Sequence, residues 1–263
     1  MLKKNLFLLF TMFFSTNAYA AHPLITDDAG TLGKGKFQIE INSEYSTDKE
    51  QADGLSVQER GGEAGMALSY GISDNIDLIV GMPLQWYTVR EGGVTVADES
   101  GFGDTGIELK WRLVEAEEEG MSLALKPGLS IPSGDEHKGL GSGALRGGVT
   151  LIATHEGRLG AVHCNLGYRT NNYGIEENNK RARNDIWHAS LAAEINLTGQ
   201  IRSVANIGVE TNEDKTSEVH PVFLIGGVIY SLDENLDIDL GLKCGLNETE
   251  TDTTFLAGLA ARF

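Results

Sequence analysis

The chain has 263 residues, 38 of them acidic and 21 Lys or Arg, for a formal net charge of −17. Such an excess of acid argues against nucleic acid as a partner and against attachment to an anionic surface by overall charge. Beyond the N-terminus, no segment offers the ~18 uninterrupted apolar residues a membrane helix needs, so a membrane-resident form of this chain has to be a β-barrel.

Residues 1–20 read as a secretory signal, with Lys3 and Lys4 ahead of an apolar run at 6–14 and an A-Y-A cleavage site at 18–20. Residues 21–36 lack hydrophobic periodicity and form a leader, expected on the periplasmic side. From residue 37 to 263 apolar and polar residues alternate in short runs, the mark of strands with one apolar face. Phe37, Ile39, Ile41, Ser43 and Tyr45 share the outward face of the first strand, and a polar loop is expected at 46–62. Ala64, Met66, Leu68 and Tyr70 follow on the second, then a short turn at 71–75 and Ile76, Leu78, Val80, Met82, Leu84 and Trp86 on the third. A second polar loop is expected at 88–102. The fourth strand shows Thr105, Ile107, Leu109, Trp111 and Leu113, and the fifth Leu123, Leu125, Leu129 and Ile131. After a Gly-rich loop at 132–143 come Leu145, Val149 and Leu151, then Val162, Cys164, Leu166 and Tyr168. The most polar loop spans 170–183. Trp187, Ala189, Leu191, Ala193, Ile195 and Leu197 mark the eighth strand, and Ile201, Ala205, Ile207 and Val209 the ninth.

The tenth strand, about 219–230, is apolar on both faces, with Val222, Leu224 and Val228 on one and Phe223, Ile225 and Ile229 on the other. Inside a barrel, something apolar has to touch it. The last two strands alternate over Leu236, Ile238, Leu240, Leu242, Cys244 and Leu246, then Phe255, Ala257, Leu259, Ala261 and the terminal Phe263. A closing strand that ends on an aromatic serves as an assembly signal. Twelve strands with alternating short turns and long polar loops predict an all-β fold, a twelve-stranded antiparallel transmembrane β-barrel with short periplasmic turns and longer outer loops. Pro83, Pro127 and Pro221 fall within expected strands and each requires a bulge or a rim position. Cys164 and Cys244 fall on apolar faces far apart in the sheet and read as small buried thiols.

Several segments together resemble one family: H-P-L-I-T-D-D-A-G-T-L-G-K-G-K-F-Q-I-E (22–40), G-F-G-D-T-G-I-E-L-K-W-R (101–112), I-P-S-G-D (131–135), G-L-G-S-G (139–143) and Y-S-L-D-E-N-L-D-I-D-L-G-L-K (230–243). The chain is similar in these to the MetA-pathway of phenol degradation family of outer-membrane channels. The resemblance implies a barrel in the bacterial outer membrane that passes small molecules, aromatic or hydrophobic ones among them. It brings no catalytic residue and no cofactor. A structural or adhesive barrel with a charge-filled lumen is the alternative. The expected partners are outer-membrane lipids, the barrel-assembly machinery and a small solute, with the protein a monomer.

The inward face should receive Glu40, Glu44, Glu63, Asp77, Asp104, Glu108, Glu194, Glu210, Asp237 and Asp239 together with Lys110, Arg112, Lys126, Arg146, Arg169, Arg202, Lys243 and Arg262. These charges either form a salt-bridged filling or line a wet, selective pore. Thr26, Asp27 and Asp28 are candidates for a plug in the periplasmic mouth. Two adjacent acids are too common a pattern to mark a metal site. His163 and His188 face inward near Asn165 and Ser190, which suits a polar lumen network better than a hydrolase; lipid cleavage would need a site on the outer wall.

Overall fold

The computed structural model describes residues 22–263 apart from Asp53, Glu117 and Glu118; the signal expected at 1–20 lies outside them. The strands are β1 (Phe37–Ala52), β2 (Leu55–Ser73), β3 (Ile76–Glu91), β4 (Val94–Phe102), β5 (Thr105–Val114), β6 (Gly120–Ile131), β7 (Arg146–Gly157), β8 (Gly160–Thr170), β9 (Asp185–Asn196), β10 (Ile201–Glu210), β11 (Val222–Ser231), β12 (Leu236–Gly245) and β13 (Thr253–Arg262), with one short helix, α1 (Glu176–Arg181). All pair antiparallel with their neighbours in one sheet, and β1 meets both β2 and β13, which closes the ring. The first half of β3 pairs with β5 and the second half with β4. β4 and β5 are therefore two halves of one stave, interrupted at Gly103 and Asp104, and the barrel has twelve staves. No helix among the described residues is long and apolar enough to cross a membrane.

The outward face is an apolar belt. Ile41, Met66, Leu68, Met82, Leu109, Leu129, Leu151, Leu166, Leu191, Ile207, Leu224, Leu240 and Phe255 are all exposed. In water this surface would be costly; against lipid it is the solvent-matched face. Phe37, Tyr70, Trp187 and Phe263 are exposed near strand ends, and the Tyr168 and Trp187 rings lie 5.0 Å apart. Cys164 shares this exposed face and Cys244 is half-buried; both are free thiols. The buried thiol expected at Cys164 is thus corrected, because an outward residue here meets lipid rather than a protein core.

The barrel closes through its ends. Phe37 N–H donates to Phe263 O at 3.1 Å and Phe263 N–H donates to Phe37 O at 2.8 Å. Deleting Phe263 removes both bonds and the terminal aromatic at a seam where lipid tolerates no unpaired backbone. Assembly of the variant into heat-modifiable barrel, followed on gels of outer-membrane fractions, should fall sharply. Wild-type yield would contradict this account of closure.

Two expected loops are strands instead. Residues 46–62 continue the β1–β2 ladder out to Ala52 opposite Leu55, and 88–102 continue β3 into β4 through a turn at Gly92 and Gly93, both with positive φ. The ladder persists where the chain leaves the bilayer, but water then wets both faces and the apolar alternation that betrays a strand disappears. The prolines fall where backbone donors are not needed. Pro83 lies opposite the β4–β5 interruption, where its carbonyl accepts from Gly103 N–H at 2.9 Å. At Pro127 the β5–β6 ladder lapses between the Glu108–Gly128 and Trp111–Leu125 pairs, and Pro221 precedes β11 at the rim.

Candidate functional site

The inner wall does not face an open channel. Residues 22–36 turn inward from the start of β1 and run across the lumen. Near the short turns, Gly35 N–H donates to Gly71 O at 2.8 Å, and Leu32 N–H to the Asp77 carboxylate at 2.9 Å. Further in, Ala29 N–H donates to Thr154 Oγ1 at 2.9 Å. Asn206 Oδ1 accepts from both Ile25 N–H (2.8 Å) and Thr26 N–H (3.1 Å), and Thr26 Oγ1 donates to Ser190 Oγ at 2.7 Å. His22 then reaches Asp239 on β12. A segment without secondary structure can be buried only if its backbone groups find partners. Here polar side chains of the wall supply them.

Asp27 is the centre of this arrangement. Its side chain is fully buried, with Oδ1 2.8 Å from Lys110 Nζ and Oδ2 2.8 Å from Lys126 Nζ. Lys126 is also 3.6 Å from Glu108. With its amide oriented to suit its neighbours, Asn165 accepts from Asp27 N–H and donates to Asp27 O. Burial by itself would raise the Asp27 carboxyl, but the two ammonium groups outweigh it and hold it below the usual aspartate range. Asp28, by contrast, lies beside a cavity of about 250 Å³ between the leader and the inner wall, lined among others by Glu40, Asp77, Lys110, Arg202 and Asp239.

The apolar part of the leader answers the two-faced tenth strand. Leu24 packs with Ala192, Val204 and Ile229, and Ile25 packs against Phe223, Ile225 and Leu256. Pro23 packs against Gly227 and Gly241, which pair across β11 and β12; a Cβ at either would come within 2.6 Å of the proline ring. Inward glycines at both positions are a sequence signal for close backbone approach that the strand pattern alone does not flag.

Fourteen of the sixteen candidate lumen residues separate into three groups, with Glu44 and Arg112 outside them. Asp77, Glu108, Lys110, Lys126 and Asp239 touch the leader or ion-pair with a group that does, and Glu40 is buried beside them on the cavity wall. Glu194, Arg202, Asp237 and Arg262 form a chain of ion pairs on the β9–β13 wall, in which Arg202 bridges Glu194 (2.8 Å) and Asp237 (3.2 Å), and Arg262 joins Asp237 at 3.0 Å. Glu44 is half-buried on β1, and Arg112 pairs with Glu115 at the short-turn rim. Asp104, Arg169, His188 and Lys243 serve the other end. Arg169 pairs with Glu210 (2.6 Å) and with Glu213 (3.0 Å) from the 211–221 loop, and Lys243 pairs with Glu250 at 3.0 Å. His188 stacks on Phe223. Tyr173 Oη donates to Glu213, and burial with that carboxylate beside it pushes the phenol pKa up.

Asp104 gathers three of the segments on which the family resemblance rests. Its carboxylate accepts from Gly134 N–H (3.0 Å), Ser142 N–H (2.9 Å) and Ser142 Oγ (2.7 Å), and Arg146 lies 3.3 Å away. The 132–145 loop is thereby folded against the barrel mouth, with Leu140 buried. Gly141 is required there, because a Cβ would fall 2.6 Å from Asp104 Oδ1. These residues are joined only by folding, and Ser142 and Glu213 were not among the sequence candidates. The Ser and His residues considered for hydrolysis are occupied otherwise. Ser190 binds Thr26, and His163 sits between Thr154 (3.0 Å) and Glu194 (3.5 Å).

The family profile described as MetA-pathway of phenol degradation matches residues 20–263. The chain belongs to this family. Among solved structures, the COG4313 outer membrane channel from Pseudomonas putida F1 is similar with a TM-score of 0.66 at 17% identity, over 90% of this chain and 98% of that one. The NanC porin gives 0.56 at 7% identity, over 85% and 98%. The toluene transporter TbuX from Ralstonia pickettii gives 0.52 at 10% identity, over 89% and 91%. At such identities the likeness concerns the fold, which is that of outer-membrane barrels. No curated protein sequence matches the chain.

Proposed function

We propose that this family member is a passive outer-membrane channel for small molecules, held closed by its own leader. Residues 1–20 direct export, the short turns and the leader face the periplasm, and the chain acts as a monomer placed by the barrel-assembly machinery. One observation carries the reading: the leader crosses the lumen with Asp27 between Lys110 and Lys126 while Leu24 and Ile25 cover an apolar strip. Withdrawal of the leader would uncover Val204, Phe223, Ile225 and Ile229 on one side of the lumen and the Lys110–Lys126–Glu108 group on another. Such a lining suits a small solute with an apolar body and a polar end, aromatic compounds included. The CymD monoaromatic hydrocarbon channel, similar in fold at a TM-score of 0.50, supports that solute class by analogy.

Single-channel recording in planar bilayers tests this. The intact chain should be silent or nearly so, and the chain lacking 22–35 should conduct steadily. Permeation of small aromatic solutes into liposomes should rise with the same deletion. Silence of both forms, with heat-modifiable barrel on gels, would leave a structural barrel with a filled lumen and end the channel reading.

A further inference from the structure

The extended rim of β1 to β4 carries unlike charges on its two faces. Row by row, Asp48 stands opposite Glu59, and Glu50 shares a row with Glu91, all inward. The outward rows read differently. Tyr45, Gly62 and Trp86 form one, Thr47, Arg60 and Thr88 the next, and Lys49, Gln58 and Arg90 the third. Lys49, Arg60 and Arg90 are exposed, and among the described residues none of their side-chain cations ion-pairs with a carboxylate, although the Lys49 backbone N–H donates to the Asp252 carboxylate at 3.2 Å. Arg90 Nε donates only to Thr95 Oγ1, at 3.4 Å. The acid on these rows, Asp98, accepts from Thr88 Oγ1 at 3.1 Å. In a chain of net charge −17, three outward cations on three neighbouring strands are a local reversal of sign.

The rows also have a depth. A tilted strand crosses the hydrocarbon in ~9–11 residues. Measured from the short-turn end, that length brings β1 to about Tyr45 and β3 to about Trp86, the aromatic row. Arg60 and Arg90 follow one and two rows higher, at the level of lipid headgroups. Between them a groove of about 280 Å³ opens on the outward face, lined by Tyr45, Trp86, Gln58, Arg60, Thr88 and Arg90. Gly61 completes its lining, and a Cβ at neighbouring Gly62 would fall 2.7 Å from the Trp86 ring, which therefore lies close over the strand.

We propose that this groove binds the phosphorylated disaccharide headgroup of an outer-leaflet glycolipid of the lipid A type. The guanidinium groups of Arg60 and Arg90 match phosphate oxygens in a way an ammonium does not. The aromatic row meets the sugar edge and first methylenes, and Ile41, Met66 and Leu84 below continue the acyl path. The assignment rests on the reading that the long-loop end faces outward.

The test reconstitutes the full-length protein in nanodiscs whose two leaflets both contain the lipid under study. Failure then bears on the groove rather than on orientation, which is read separately by labelling Thr95→Cys on intact cells. Retained lipid is counted by native mass spectrometry. Wild type should retain bis-phosphorylated lipid A roughly tenfold better than its dephosphorylated form. The Arg60→Gln/Arg90→Gln variant should lose that preference, and Arg60→Lys/Arg90→Lys should keep part of it. Equal retention of the two lipids by wild type, a measurement that needs no variant to fold, would overturn the proposal. So would an unchanged preference in the double Gln variant, equal retention of phosphatidylglycerol, or displacement by millimolar inorganic phosphate.

Discussion

Asp27→Asn is expected to free the leader from the lumen. The substitution keeps the shape of the side chain but removes the anion shared by Lys110 and Lys126, of which Glu108 can compensate only the nearer. Breaking a buried ion pair from one side typically costs ~3–5 kcal/mol, because a charge is left unpaired in a poorly solvated site. None of the leader's other ties is as large: each hydrogen bond is worth ~0.5–1.5 kcal/mol net, and beside them stand the His22–Asp239 contact and the packing of Leu24 and Ile25, so this is the greatest loss a single substitution imposes on docking. Limited proteolysis should cut residues 22–36 in the variant and spare them in the wild type, and single-channel conductance should appear together with that cleavage. Adding Lys110→Met to Asp27→Asn should recover part of the protection, since the uncompensated charge is then gone. A leader as protected in Asp27→Asn as in the parent would show that the lysines are not what holds it. The pH dependence has a definite sign. A carboxyl whose folded pKa is depressed stabilises the docked state fully above its unfolded value, ~3.9 for Asp, and loses that contribution as pH falls through the lower folded value. Leader protection from this pair should therefore be flat from neutrality to about pH 5 and fail only in stronger acid.

Leu240→Arg should damage the barrel where Asp239→Asn does not. The two are neighbours on β12, yet Leu240 is 68% exposed on the lipid side and Asp239 is 8% exposed on the lumen side. An arginine at mid-bilayer on the lipid face costs ~2–4 kcal/mol. Asn at 239 keeps a polar acceptor for His22 and disturbs only the tip of the leader. Urea unfolding of the refolded proteins in the same lipid separates the outcomes: the midpoint for Leu240→Arg should fall well below the parent, with Asp239→Asn near it. Equal loss from both would mean the facing of β12 has been misread.

How the chain records these features differs from one to the next. Ile238, Leu240 and Leu242 alternate with Asp237, Asp239 and Lys243 because one face of β12 meets hydrocarbon and the other does not, and that contrast is written residue by residue. Strand number, lipid-facing residues and closure through Phe263 follow from it, as do the three prolines at breaks in pairing. Outside the bilayer the contrast vanishes, so 46–62 and 88–102 read as loops although strand pairing continues there. The lumen is harder still. A polar inward residue looks the same whether it faces water, another wall or a crossing segment, so Asn165, Asn206 and Thr154 gave no sign that they bind a backbone, nor Ser190 that it meets the Thr26 hydroxyl. The sequence did carry one anomaly, the doubly apolar β11, and it demanded an apolar partner without saying which. Leu24 and Ile25 could be named only from the tertiary structure, because the leader's hydrogen bonds run to side chains scattered from Asp74 to Asp239 and impose no period on its own sequence. Lipid contact, repeated at every second residue, is a local property that the sequence determines by itself; the contents of the lumen depend on which distant residues folding brings together, and that only the closed barrel decides.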